Sequence, residues 1–368
     1  MMAIDQPLSA CNRRTFLTAA IALLGAPMLA RADTGASRLI SPVTRDGRHF
    51  LAVANQLDTE PQLIPTPMRG HALLLDPRHP DQILMIARRP GTLAIRVDIG
   101  LGKVLNTWEA DEDRHFFGHA CLSADGRQVF IAENNIDTGQ GVISVRDTAS
   151  FQVQREFPSY GIGPHEILLM PDGHTLAVAN GGISTLPETG RVKLNRGRFD
   201  SNLAYLDSRS GKLLARYPVP IPQLSLRHLA LADDGTVAVA MQFEGDRQQA
   251  GTPLIAFHRP GEVMRMGTAP QAAWDAMRHY AASIAYDPVS RYFVLSCPIG
   301  GQLACWRVDG TFVDILPVPK VSGIAFDAKG AFASNELGQL LRLDLVRRQA
   351  NMLNNQAGWL WDNHLYLG

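Results

Sequence analysis

One pattern recurs along this chain and limits its fold more than any other feature. Four segments open on a histidine, run as an apolar strand, turn on Asp, Gly or Pro, and return as a second apolar strand. They are "HALLLDPRHPDQILMIAR" from His71, "HACLSADGRQVFIAEN" from His119, "HEILLMPDGHTLAVAN" from His165 and "HLALADDGTVAVAMQ" from His228. Two further copies open on serine: "SIAYDPVSRYFVLSC" from Ser283 and "SGIAFDAKGAFASNE" from Ser322. A seventh start, "HLYLG" from His364, ends the chain. The intervals between starts are 48, 46, 63, 55, 39 and 42 residues. A period of about 40–50 residues is that of a four-stranded propeller blade, and insertions such as 181–200 stretch the long intervals. The strands between the starts, such as "GVISVRDTAS" and "NLAYLDSRSG", are short and divided by turn residues. Only 270–280, "PQAAWDAMRHY", reads as a short helix.

Seven starts predict an all-β chain forming a seven-bladed β-propeller. The seventh blade has only its first strand at the C-terminus. The N-terminal stretches "RLISPVT", "RHFLAVANQ" and "QLIPTP" are predicted to supply the rest, which closes the ring and removes open sheet edges. Composition agrees with a strand-rich globular chain: 46% hydrophobic and only 19% charged, below the usual quarter. The formal net charge is zero, so no basic footprint argues for nucleic acid.

Residues 1–32 read as an address rather than as fold. Arg13-Arg14, then Phe16-Leu17, a short apolar run and the small residues Ala30 and Ala32 match a twin-arginine export sequence cleaved after Ala32. The run is short for a bilayer span, so stable membrane insertion is not expected. Residues 33–368 are then one periplasmic propeller domain. Cys121, Cys297 and Cys305 remain after cleavage, an odd number. Cys297 and Cys305 flank a hairpin loop and could face each other, or stay as buried thiols.

In a propeller the first strand of each blade lines the central channel. His71, His119, His165, His228 and His364 are therefore predicted to form a ring at one mouth, with Ser283 and Ser322 completing it. One histidine at a strand start usually serves structure. Five at one repeated register raise the alternative of a transition-metal site, since neutral imidazole suits Cu, Zn, Fe and Ni. Iron or copper is the expected metal, zinc less so. The loops after second strands bring Glu133, Asn134, Asn180, Gln242 and Glu336 toward the same mouth as supporting acceptors. Arg88, Arg114, Arg191 and Arg227 would rim it and could fork-bind a small anionic chelate. Two other readings stay open. One is a metal-dependent enzyme with Glu133 or Glu336 as base. The other is a scaffold that binds periplasmic proteins and uses its histidines structurally. By strand alternation Glu166 should point away from the ring, toward a blade interface. No phosphate loop, dinucleotide fingerprint or nucleophile elbow occurs, so no nucleotide cofactor is expected.

The stretches "ARRPG", "RHFFGH", "AEN", "GIGPHE", "VANGGI", "TGR", "LSLRH", "QFEG" and the terminal "WDNH" carry a resemblance over nearly the whole mature chain. With them the chain resembles a family of twin-arginine-exported bacterial periplasmic propellers known as a domain of unknown function. That family is similar to quinoprotein-dehydrogenase-like seven-bladed propellers. Its members tend to be encoded near imelysin-type and dihaem peroxidase-like proteins, which implies iron or copper handling and no particular activity. The family pattern has a histidine after "GGIST", where this chain has Leu186, and this weakens a binding role for that loop. At the level of fold alone, a His-lined seven-bladed channel is also similar to nitrous oxide reductase, whose histidines hold a copper cluster; this chain lacks that enzyme's electron-transfer domain.

Overall fold

A computed structural model describes residues 38–368, apart from Asp58, Arg191, 196–198 and Lys329. The export sequence expected at 1–32, and Arg191, lie outside the described residues. The described chain forms seven antiparallel sheets arranged as a propeller. Blade 1 runs from its inner strand Gly70–Leu75 outward to Lys103–Glu109; blade 2 from Arg114–Leu122 to Val153–Pro158; blade 3 from Pro164–Leu169 to Leu213–Pro218. Blade 4 runs from Leu224–Leu231 to Arg265–Met266, blade 5 from Ser283–Asp287 to Phe312–Pro317, and blade 6 from Val321–Asp327 to Gln349–Asn355. The short helix falls at Gln271–Ala276, inside the expected stretch.

Blade 7 closes the ring as the repeat requires. Its outer three strands, Leu39–Arg45, Arg48–Ala54 and Gln62–Thr66, come from the N-terminal part of the domain. Its inner strand comes from the C-terminus in two pieces, Trp359–Trp361 and Tyr366–Leu367, paired as Arg45 with Trp359, Val43 with Trp361 and Leu39 with Leu367. Trp359 and Trp361 are buried against Phe332 and Leu340 of blade 6.

The burial pattern follows from stacking blades face to face. The second strands Thr175–Asn180 and Val237–Phe243 are buried at every position, since a neighbouring sheet covers each face. They read "TLAVAN" and "VAVAMQF": small and β-branched residues let the sheets approach near the crowded axis. The outermost strands face solvent on one side and alternate instead, as in Leu213–Pro218. The inner turns "DG" at Asp125-Gly126, Asp172-Gly173 and Asp234-Gly235 are shaped by glycine at positive φ. In each, the Asp carboxylate accepts a backbone N–H two residues on.

Of the two cysteine readings, the structure bears out the buried thiols. Cys297 pairs across the hairpin with Gln302, and Cys305 with Val294. The two thiols therefore do not face each other. Both are free and buried, and burial pushes the Cys305 thiol up to about 12.

Candidate metal centre

Inner strands pass the channel axis, but a regular strand does not aim a side chain straight along the mouth. Four of these strands carry a register break at their histidine. The breaks lie between Gly70 and Leu73, Phe116 and Ala120, Pro164 and Glu166, and Leu226 and Leu229, and they contain His71, His119, His165 and His228 respectively. His364 lies in the gap between the two pieces of the blade 7 inner strand. A β-bulge bends the strand locally and re-aims one side chain. Ser283 sits in a strand with unbroken register and does not gain this turn.

The bulges bring the five imidazoles together. Ring centroids of His119 lie 4.7 Å from His71, 5.1 Å from His165, 5.0 Å from His228 and 4.8 Å from His364. Each ligand atom offered by His71, His119, His165 and His228 lies within 4.8 Å of the others. A metal–imidazole bond of about 2.0–2.1 Å puts the ligand atoms of a tetrahedral site roughly 3.4 Å apart, so the set would close on one ion if its ligands moved inward by up to about 1 Å. His71 and His364 also form a second group with Asp362. Gly118 permits the close approach: its φ is +100°, and a Cβ there would lie 2.8 Å from the His71 ring.

All five rings are buried, none more than 9% exposed. Burial holds His119, His165, His228 and His364 well below the ordinary imidazole value, and neighbouring histidines and arginines add to the effect. They are neutral near pH 7, the form that binds a metal. Three ring nitrogens have no hydrogen-bond partner: His119 Nε2, His165 Nδ1 and His364 Nε2. Buried polar atoms are normally satisfied. Three such nitrogens in one buried cluster are atoms that could ligate a metal.

Two carboxylates orient the rings. His71 Nδ1 donates to Asp362 Oδ1 at 2.7 Å, which leaves the lone pair on Nε2. Burial opposes charge on Asp362, but Arg88, 3.0 Å from its other oxygen, and His71 hold the carboxyl well below its usual range. Glu166 bonds the Leu229 N–H at 2.8 Å, and its carboxyl oxygens lie 3.2 Å from His228 Nδ1 and 3.6 Å from His119 Nδ1. Burial pushes the Glu166 carboxyl up to about 8. Glu166 does bridge blades 3 and 4, as strand alternation predicts. It also faces the rings, because the bulge at His165 turns the next residue partly inward.

A cavity of about 170 Å³ opens over the cluster. His71, His165 and His228 form its floor, and Arg88, Arg89, Lys193, Arg227 and Arg247 its cationic wall. Arg227 and Lys193 both pair with Glu244. Lys193 comes from the 181–200 insertion, which reaches the mouth as its position in the repeat requires.

Several expected supporting residues stand elsewhere. Gln242, Arg88 and Arg227 line the cavity. Glu133 is sealed inside blade 2, bonded to Ser144 and to Arg146 at 3.0 Å, so it has no access to the rings. Asn134 is buried with its amide on the Asn135 carbonyl, and Asn180 is held by the Ser159 carbonyl and Asn202. Arg114 pairs with Asp113 and Glu156 at the edge of blade 2. Glu336 is exposed and outside the cavity wall. Glu133, Asn134 and Asn180 lie in second strands, where the pleat aims them into the blades rather than at the mouth. Asp362, Glu166 and Glu244 were missed as site residues. Their roles depend on contacts across blades, and the stretches "WDNH", "GIGPHE" and "QFEG" that contain them do not show those contacts.

Solved structures share the architecture. Kuenenia stuttgartiensis hydrazine synthase is 14% identical with a TM-score of 0.62, over 85% of this chain and 91% of that one. A streptogramin B lyase is 11% identical with a TM-score of 0.57, over 78% of this chain and 83% of that one. At such identities the likeness shows the fold alone. No curated protein sequence matches the chain. Residues 64–368, which contain all five clustered histidines, match a protein family of unknown function, DUF1513, and the chain belongs to that family.

Proposed function

We propose that this protein is a periplasmic metal-binding propeller that takes iron or copper at the histidine cluster and serves uptake or sensing. One observation carries the reading: four buried imidazoles from four blades present ligand atoms within 4.8 Å of one another. A purely structural histidine needs no such convergence, and the orphaned nitrogens of His119, His165 and His364 gain nothing from it. Nitrogen-only ligation favours a borderline transition ion over Mg²⁺ or Ca²⁺. His71, with its tautomer set by Asp362, and His228, held beside Glu166, would be the oriented ligands; His119 and His165 would complete the set. Periplasmic residence rests on the twin-arginine pattern of residues 13–17.

The test is elemental analysis of protein exported to and purified from the periplasm, repeated for the His119→Ala/His165→Ala variant. Bound Fe or Cu near one per chain, lost in the folded variant, supports the reading. Absence of Fe, Cu and Zn even after addition to the purified protein overturns it. The cavity over the cluster favours a second reading, a metal-dependent enzyme, because it leaves a route for substrate. Glu133 and Glu336 do not reach that cavity, so the carboxylate placed to act as base is Glu244.

A further inference from the structure

The charges around the cluster point to a second ligand. Among the described residues, six cations line or adjoin the mouth: Arg69, Arg88, Arg89, Lys193, Arg227 and Arg247. The nearby carboxylates Asp362, Glu166 and Glu244 are fewer, and a divalent ion would widen the gap. Arg69 and Arg247 reach solvent, so the part of the excess that water relieves least sits on the buried side chains. Arg227 sharpens the point. It is 1% exposed, lines the cavity, and its Nε has no hydrogen-bond partner, while its contact with a carboxylate is a 3.4 Å approach to Glu244, which also pairs with Lys193.

We infer that the cavity binds a small polycarboxylate, with one carboxylate forked by the arginines of the wall and another reaching the histidine floor. The chemistry selects this class. Guanidinium forks match planar carboxylates in bidentate geometry. A cavity of about 170 Å³ holds roughly six waters' volume, which suits an anion of the size of oxalate or malonate, with citrate protruding through the mouth. The ligand neutralises the excess charge, and its inner carboxylate would supply oxygen ligands beside the imidazoles. The second half of this inference rests on the metal reading; the first half stands on cavity and charge.

The experiment is titration calorimetry of the chelator-treated full domain with oxalate, malonate, citrate and inorganic phosphate. It is repeated for Arg89→Gln, Arg247→Gln and Arg227→Lys, and then for metal-loaded protein. A polycarboxylate is expected to bind more tightly than phosphate. Each rim substitution should weaken it about tenfold, with secondary structure and Tm unchanged for the exposed Arg247. Added salt should weaken it further. No polycarboxylate binding, equal or tighter phosphate binding, or binding indifferent to Arg89→Gln and Arg247→Gln would each overturn the inference. With metal present, affinity should rise tenfold or more, and the rise should vanish in His119→Ala/His165→Ala. Metal-free binding without that rise overturns the bridging half and leaves the anion site standing. A protein that takes no metal but binds citrate through its arginines refutes the metal reading alone.

Discussion

Lowering the pH from about 7.5 to about 5.5 in the presence of a chelator is expected to destabilise this protein by about 3 kcal/mol, and the histidine cluster is the reason. His119, His165, His228 and His364 have imidazole values held well below 6.5 by burial and by one another. In the unfolded chain each takes up a proton as the pH falls through about 6.5. In the folded chain each stays neutral over this range. The unfolded state therefore binds more protons, and stability falls with pH. Over these two pH units each imidazole contributes roughly 1 kcal/mol or a little more, and four contribute about 5–6 kcal/mol. Glu166 works in the opposite direction. Its folded carboxyl is raised to about 8, so folding takes up a proton there, and acidification returns about 2–3 kcal/mol. Asp362, held low by Arg88, stays ionised in both states throughout the window and contributes nothing there. The assay is urea unfolding followed by tryptophan fluorescence at both pH values. The His119→Gln/His165→Gln variant is the control, because it removes two of the four contributions and should lower the pH dependence by about 2.7 kcal/mol. His49, His115 and His258, also held low, appear equally in both proteins and cancel. Equal pH dependence in wild type and variant, or a wild type more stable at the lower pH, would refute the reasoning.

Further outcomes follow from particular contacts. Asp362→Asn should weaken metal binding by about 10–100-fold, since it frees the His71 tautomer; competition with a coloured chelator reads this. Glu133→Ala leaves Arg146 buried without its carboxylate and should cost about 3–5 kcal/mol in urea unfolding, with metal affinity unchanged once the protein is folded. Gly118→Ala forces a Cβ against the His71 ring at a φ that L residues avoid; metal affinity should fall while the far-ultraviolet spectrum is retained. Removing residues 359–368 takes the inner strand from blade 7 and bares the Leu39–Arg45 edge, so the truncated domain should aggregate on expression; a soluble monomer would contradict the closure.

The amino-acid sequence by itself determined the repeat and therefore the fold. Seven strand starts at blade spacing left one economical closure, in which "RLISPVT" meets the C-terminal strand, and the register of Leu39 with Leu367 is that closure. It also determined which five histidines share a position, because a repeat places equivalent residues on equivalent points of a ring. Tertiary structure decided whether those rings meet. Convergence depends on bulges at His71, His119, His165 and His228, where the strand gains a residue without any marked change of composition. It decided as well that Glu133 and Asn180 serve blade interiors, since the pleat, not the loop they precede, sets their direction. The partners of the rings were the hardest to read. Asp362 lies 291 residues from His71 in the chain and 2.7 Å from it in the folded protein, a contact that exists only because the C-terminal strand closes blade 7 beside blade 1.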